Sequence, residues 1–152
     1  ISGPQSTSVA QMRLAGYRRA LKEAGVEVSP GRMLESDFTS TGGYSAAAIL
    51  LEHNPPSAIF AGNDLTAYGA RLALYRRGIR VPEDISIVGF DGFLKDRRFS
   101  PSIASLDQPL VEMGKRAAEV LLERVGKTAI PKRELVFPVT FLPGESFAPL
   151  KG

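Results

Sequence analysis

The segment AIFAGNDLTAYGARLALYRRGIRVPEDISIVGFD, residues 58–91, decides the fold. It opens with a short apolar run, Ala58–Ala61, and closes with Ile85–Phe90, a run rich in β-branched residues; both lengths favour strands. Two strands on either side of one helix should be parallel neighbours with a right-handed crossover. Their carboxyl ends, marked by Asn63 and Asp91, should then lie side by side, at the edge where open α/β sheets bind ligands.

The helix between these strands has clear signals at both ends. Asn63 or Asp64 can cap its first turn, with capping the better interpretation for Asp64, and Gly78 ends it just after two arginines. Steps of three and four residues mark one helical face: Leu65, Tyr68, Leu72 and Tyr75. The simplest interpretation of that face is packing against the sheet.

Composition excludes several classes of protein. The chain has 152 residues, 43% of them hydrophobic and 23% charged, with a net charge of +3 and no cysteine. We therefore expect a soluble, cytoplasmic globular protein without disulfides or thiolate metal sites, and with no apolar run long enough to cross a membrane. Arginine pairs are scattered rather than clustered, which favours solvated charges over a nucleic-acid groove: Arg18-Arg19, Arg76-Arg77 and Arg97-Arg98.

Motifs for catalysis are missing from the sequence. There is no GxSxG elbow and no phosphate loop, and His53 is the single histidine, expected to be solvated at a helix end. The sequence therefore predicts no enzyme activity, no cofactor and no metal site.

Strands and helices alternate along the rest of the chain, which predicts a three-layer α/β/α sandwich on a parallel sheet. Further helices are predicted from Ser6-Thr7-Ser8 to about Ala24, from Tyr44 to His53 with a thoroughly buried Ala46–Leu51, and from Leu110 to Val125; further strands are predicted at Ile1–Pro4, near Arg32–Glu35, at Ile103–Leu106, and twice within Glu134–Phe147. Phe93–Pro101 is predicted to be a polar loop. The last helix is apolar enough to need a sheet beneath it, so we suspect that the chain is a fragment.

Nearly the whole chain, in consecutive order, resembles the effector-binding region of LacI/GalR-family transcriptional repressors. The strings that carry the resemblance are RLAGY from Arg13, SDFTSTGGYSAA from Ser36, AIFAGNDLTAYGA from Ala58, GIRVPEDISIVGFDG from Gly78 and SPSIASLDQPLVEMGKRAAEVLL from Ser100. The resemblance implies a periplasmic-binding-protein-like fold of type I, in which two Rossmann-like lobes enclose a small molecule.

The resemblance also implies how the chain is divided. Residues 1–106 and 137–152 would be an incomplete C-terminal lobe, 107–136 would belong to the N-terminal lobe, and the DNA-binding headpiece would be absent. Ile103–Asp107 and Val136–Thr140 would be crossing segments between the lobes. The family usually has an arginine before its final Ser or Thr, whereas this chain has Leu142-Pro143-Gly144-Glu145-Ser146. That departure concerns the last strand and not the ligand site.

Effector contacts are implied at Arg13, Phe38, Asn63, Asp91 and Gln108, and their chemistry suits a sugar. Arginine and aspartate bind hydroxyl pairs, asparagine both donates and accepts, phenylalanine offers a ring for stacking, and Gln108 stands at the hinge. Each also has a simpler interpretation: an exposed helix residue for Arg13, core for Phe38, a cap for Asn63 and a turn for Asp91.

The functional prediction is a fragment of a LacI-type regulator that binds a small effector. The resemblance implies a sugar, the family's commonest effector, with a purine as the less common choice, and contact with operator DNA only through the absent headpiece. Tyr68, Leu72 and Tyr75 are predicted to form a homodimer interface, since the family dimerises through this helix and interfaces are rich in tyrosine. A sugar-binding protein of a transporter, with the same fold, is the runner-up. A sugar-processing enzyme is a third interpretation.

Overall fold

The computed structural model describes residues 1–27, 29–53, 55–93, 102–127 and 130–149. The predicted loop at Phe93–Pro101 lies outside these ranges from residue 94 onward, and so does the side chain of His53. The helices are α1 (Ser8–Glu23), α2 (Ser40–His53), α3 (Asp64–Arg76) and α4 (Leu110–Arg124), with one 3-10 turn at Pro30–Arg32. The strands are β1 (Ala58–Phe60), β2 (Ser86–Asp91), β3 (Ala104–Asp107) and β4 (Thr140–Leu142).

The sheet has the strand order β1-β2-β3-β4, with β1, β2 and β3 parallel, as the sequence predicts. β4 is antiparallel to β3, which corrects the expectation of a wholly parallel sheet. Only β4 forms within the region predicted to hold two strands, Glu134–Phe147. The predicted strands near the N-terminus amount to one parallel bridge between Ser2 and Glu35.

Alternating side chains along the strands place helices on both faces of the sheet. Phe60 stacks on Tyr17 of α1, with ring centroids 6.1 Å apart. On the opposite face, a Cβ on Gly89 would meet Asp64 and Ala67 of α3. Residues of opposite parity point to opposite faces of a strand, so α1 covers one face and α3 the other. This is the predicted three-layer arrangement.

α2 packs closely against α3 because glycines allow their backbones to approach. A Cβ on Gly43 would lie 2.3 Å from the carbonyl oxygen of Thr66, and one on Gly69 would lie 1.9 Å from that of Ser40. α2 begins at Ser40, four residues before the predicted start, because the Thr39 hydroxyl accepts from the amide of Gly42 at 3.0 Å. The core contains mainly small and branched residues of α2, α3 and the strands: Ala47, Leu51, Ile59, Ala61, Ala67, Ala70, Ala73, Leu74, Ile85, Ile87 and Ile103.

Two predicted apolar faces are more exposed than expected. Ile49 of α2 is 53% exposed, although its neighbours Ala46, Ala47, Leu50 and Leu51 are buried. On α1, only Ala10 is buried. Val9 and Met12, on the apolar side of this helix, border a groove of about 580 Å³ instead.

α4 buries none of its residues. Its apolar side chains are largely exposed: Leu110 54%, Val111 89%, Leu121 66% and Leu122 73%. An amphipathic helix gains stability mainly by burying its apolar face. The prediction that this helix needs a further surface to pack on is therefore consistent with its exposure. None of the helices in the described ranges is long and apolar enough to cross a membrane.

Candidate ligand-binding site

Asn63 is the N-cap of α3 and also joins this helix to the segment before α2. Its Oδ1 accepts from the amide of Thr66 at 2.9 Å, and its Nδ2 donates to the carbonyl of Phe38 at 3.0 Å. Asp64 is not the cap, contrary to the sequence-based interpretation. It is the first residue of the helix, and its side chain is buried in the interior.

Asp91 stands at the end of β2 and is the centre of the site. Its Oδ1 accepts from Nη2 of Arg13 and from Nε2 of Gln108, both at 2.7 Å. The backbone of Asp91 has φ 111°, in the left-handed region that a side chain rarely adopts. Such a conformation persists only where its surroundings hold it, and it is common at binding sites.

Arg13 reaches the site from α1, on the face of the sheet opposite α3. Its guanidinium lies 4.0 Å from the ring centroid of Phe90 and 5.8 Å from that of Phe38, and it donates to the carbonyl of Gly62. Its side chain is only 14% exposed. Charge, hydrogen bonds and ring contacts together compensate for removing this cation from water.

Phe38 also has an unusual backbone, with φ 65°. Its ring lies over Gly3, where a Cβ would come within 2.0 Å of ring carbon Cζ. The ring is half-buried. One part of Phe38 therefore packs in the protein and another remains accessible.

Four polar residues, Asn63, Asp64, Asp91 and Gln108, line one open cleft of about 360 Å³ together with three apolar residues, Leu65, Phe93 and Leu110. The structure thus places the carboxyl ends of β1 and β2 side by side, as predicted. Arg13 and Phe38 lie behind this cleft, one bonded to Asp91 and the other to Asn63. A few polar groups on an apolar lining are typical of small-molecule sites. Among the described residues, no group of three or more acidic or histidine side chains is placed to hold a metal.

A family model described as the periplasmic binding protein-like domain matches residues 1–147. The chain belongs to this family. The ribose operon repressor of Haemophilus influenzae is 38% identical over 152 residues, which cover 99% of this chain and 46% of that protein. This chain therefore spans less than half the length of that curated relative.

Solved structures of related regulators share this fold. The transcriptional regulator CelR in complex with cellobiose matches with a TM-score of 0.89 and 37% identity, over 96% of this chain and 45% of that chain. A LacI-family regulator from Enterococcus faecium with bound ribose matches with a TM-score of 0.84 and 30% identity, over 98% of this chain and 56% of that chain. These comparisons confirm the predicted resemblance to LacI-family regulators and the periplasmic-binding-protein-like fold.

The exposed side of α3 differs from the simplest interpretation of its sequence. The residues facing the interior are Ala67, Ala70, Ala73 and Leu74. Leu72 and Tyr75 are 38% and 78% exposed, and Tyr68 is half-buried with the Arg71 guanidinium 5.4 Å from its ring centroid. The interpretation that this face packs on the sheet is therefore wrong. The role of the face as a dimer interface stays a prediction.

The end of the chain keeps its serine in a buried position although the arginine is missing. Ser146 is fully buried; its hydroxyl accepts from the amide of Ala104 at 2.8 Å and donates to the carbonyl of Ile87 at 2.7 Å. It joins β2 to the start of β3 where these strands separate. Gly144 lies so close to Ile103 that a Cβ there would be 2.5 Å from the Ile103 carbonyl carbon.

Sequence reasoning missed Ser105 and assigned the wrong role to Asp64. Ser105 is 3% exposed and lies in β3, where its hydroxyl contacts Asp64 from below the cleft. A serine between Ala104 and Leu106 fits an ordinary strand pattern, so the sequence does not indicate its role. Gly89, opposite Asp64, was the one hint, because a glycine inside a strand indicates close approach of another group.

Proposed function

We propose that this chain is the effector-binding and dimer-forming part of a LacI-type transcriptional regulator, with a sugar as its effector. The observation that supports this most strongly is the arrangement around Asp91. Two donors from separate parts of the chain, Arg13 and Gln108, hold one carboxylate oxygen at the mouth of a cleft. The relatives that support the ligand class have ribose or cellobiose bound.

The polar groups of the cleft suit hydroxyl groups. Arg13 and Gln108 both donate to Oδ1 of Asp91, and no residue within the described ranges donates a hydrogen bond to Oδ2. That oxygen can accept from a sugar hydroxyl. Asn63 uses one amide hydrogen for the Phe38 carbonyl, so its second hydrogen can donate to the same ligand. Leu65 and Phe93 supply apolar surface for the carbon side of a sugar ring.

The division into lobes is part of this proposal. Residues 1–106 and 137–152 form the C-terminal lobe, and 107–136 belong to the N-terminal lobe, which agrees with the lack of buried residues in α4. The pair β3 and β4 connects the two parts, with Asp107 opposite Thr140. A ligand that binds one relative angle of the lobes better than another shifts the population between them. Operator DNA would be bound by a headpiece outside this chain, and the ligand would change its affinity through that shift.

Catalysis and membrane association are not part of the proposed function. The related proteins are repressors, and the two carboxylates that line the cleft are already bound, Asp91 by Arg13 and Gln108 and Asp64 by Ser105. We further propose that the protein acts in the cytoplasm without a cofactor. The runner-up, a transporter's solute-binding protein, has less support, because the named relatives regulate transcription.

Dimerisation through α3 completes the proposal. Leu72 and Tyr75 are exposed and lie one helical turn apart, next to Tyr68 and Arg71. Aromatic side chains and arginine are enriched at interfaces. A second copy of the chain would cover them.

Calorimetric titration of the complete regulator with ribose and cellobiose tests the proposed function. We expect one sugar to bind, and Asp91→Asn to weaken that binding about tenfold or more through loss of a charge-assisted hydrogen bond. Arg80→Met is the control, because this arginine pairs with Asp84 on the surface, away from the cleft. Equal affinity in the unaltered protein and Asp91→Asn would refute the site.

A further inference from the structure

A chain of buried hydrogen bonds runs behind the cleft and ends at the backbone of Asp91. Asp64 and Ser105 are 1% and 3% exposed. The Ser105 hydroxyl donates to Oδ1 of Asp64 at 2.5 Å and accepts from the amide of Gly92 at 3.1 Å. The short first distance is typical of a hydroxyl bound to a carboxylate. One hydroxyl thus links α3, β3 and the end of β2.

This chain of bonds fixes an unusual piece of backbone. Asp91 and Gly92 both have positive φ, 111° and 69°. The peptide group between them makes one hydrogen bond to β3 and another to Gln108, the residue that follows β3. Its N–H binds Ser105, and the Asp91 carbonyl accepts from the amide of Gln108 at 3.4 Å. A non-glycine residue is strained in this region, so its surroundings must hold it there.

Two glycines make room for this arrangement. A Cβ on Gly89 would be 2.4 Å from Oδ1 of Asp64, and a Cβ on Gly92 would be 2.2 Å from Oδ1 of Asp107. The Asp64 carboxylate therefore occupies the space above β2 that a side chain would otherwise fill. It also lies in the first turn of α3, where the amide dipoles favour a negative charge.

We propose that Asp64 and Ser105 are positioning residues for ligand recognition. Their side chains are buried and hold the Asp91–Gly92 peptide so that the Asp91 carboxylate faces the cleft. The ligand class that depends on them is a polyhydroxyl compound that donates to this carboxylate. The inference rests on the proposed function, since it concerns the same site.

A second buried serine offers a matched control. Ser105 and Ser146 each make two side-chain hydrogen bonds. Ser105 joins β3 to α3 and to Gly92 at the carboxyl end of β2, and Ser146 joins β2 to β3 near the amino end of the pair. Ser105→Ala and Ser146→Ala should therefore lose similar stability. Only Ser105→Ala should weaken binding of ribose or cellobiose to the complete regulator, about fivefold to tenfold, the size of one hydrogen bond. Equal effects of the two variants on affinity would overturn the proposal.

If Ser105 acts through Asp91, two further results are expected in the same affinity measurements. In the Asp91→Asn background, Ser105→Ala should reduce affinity by less than about twofold, because residues that act as a unit are not additive. Ser105→Thr, which keeps the hydroxyl, should restore binding to within about threefold of the unaltered protein if the hydroxyl is what matters. Additive losses, or a Thr variant as weak as the Ala variant, would overturn the positioning role.

Hydrogen exchange of the Gly92 amide tests its hydrogen bond to the Ser105 hydroxyl without any ligand. In the unliganded protein, Ser105→Ala should speed this exchange at least about tenfold, since its acceptor is removed, while Ser146→Ala leaves it unchanged. An unaltered Gly92 rate in Ser105→Ala would refute the proposal by itself. Failure of both sugars to bind the unaltered protein would count against the proposed function. The exchange result would still show whether Ser105 holds the Gly92 amide.

Discussion

Replacing Arg13 tests in one experiment how the site is held together. Arg13→Met keeps an unbranched side chain of comparable reach and removes the guanidinium. The change breaks the bond to Asp91 at 2.7 Å and the bond to the Gly62 carbonyl, and it removes the cation 4.0 Å from the ring centroid of Phe90. The methionine keeps much of the apolar contact with that ring.

The magnitude follows from the exposure of the pair. Removing one partner of a fully buried ion pair costs about 3–5 kcal/mol. The side chains of Arg13 and Asp91 are 14% and 28% exposed, so water partly screens the charge that remains. We therefore expect a loss of about 2–3 kcal/mol in the free energy of unfolding.

A double-mutant cycle separates the pair from its surroundings. Asp91→Asn is the second change, because asparagine is among the side chains that best tolerate a positive φ. Arg13→Met, Asp91→Asn and the double variant are compared by urea unfolding, and we expect a coupling energy of about 1–2 kcal/mol. The matched control is the surface pair of Arg80 and Asp84, whose side chains are 69% and 37% exposed. Its cycle should show much weaker coupling.

The reasoning fails if the effects of the two changes at Arg13 and Asp91 add to within about 0.5 kcal/mol. That result would mean that these side chains contribute separately and that the ion pair does not hold the site. A change in the slope of unfolding with urea would instead indicate an altered unfolded or native state, or a loss of two-state unfolding.

Four further predictions concern three of the helices and the segment that precedes α2. Gly43→Ala should destabilise the chain by about 1–3 kcal/mol in urea unfolding, because its methyl group would overlap the backbone of α3. Gly114→Ala, with open space around its Cβ position, should stabilise the chain by up to about 1 kcal/mol in the same assay. Tyr75→Glu should weaken self-association in sedimentation velocity while the chain stays folded, because Tyr75 is 78% exposed, and an unchanged dimer would contradict the α3 interface. Hydrogen bonds from the side chain and then the backbone of Thr39 lower the pKa of Asp37. Its carboxylate therefore adds stability above the ordinary aspartate pKa that is lost as pH falls, so the difference in melting temperature between the unaltered chain and Asp37→Asn should shrink in acid.

The sequence by itself determined the order and type of the main elements. Apolar runs, caps and glycines are local signals, and they placed α3, β1 and β2 within one or two residues of their observed bounds. Parallel pairing of β1 and β2 follows from the single helical crossover that joins them. The neighbouring positions of Asn63 and Asp91 follow from that pairing, so local information was enough to predict the cleft.

Only the tertiary structure decided which side of each helix is buried and how the polar groups are shared. An apolar stripe shows that a helix has a face, but neighbouring elements determine whether that face is covered. The stripe with Tyr75 is therefore exposed, while small alanines pack inside. Likewise, the contacts of Asp64 with Ser105 and of Arg13 with Asp91 join residues 41 and 78 positions apart. No local pattern encodes such distances, because they arise when the strands assemble into a sheet.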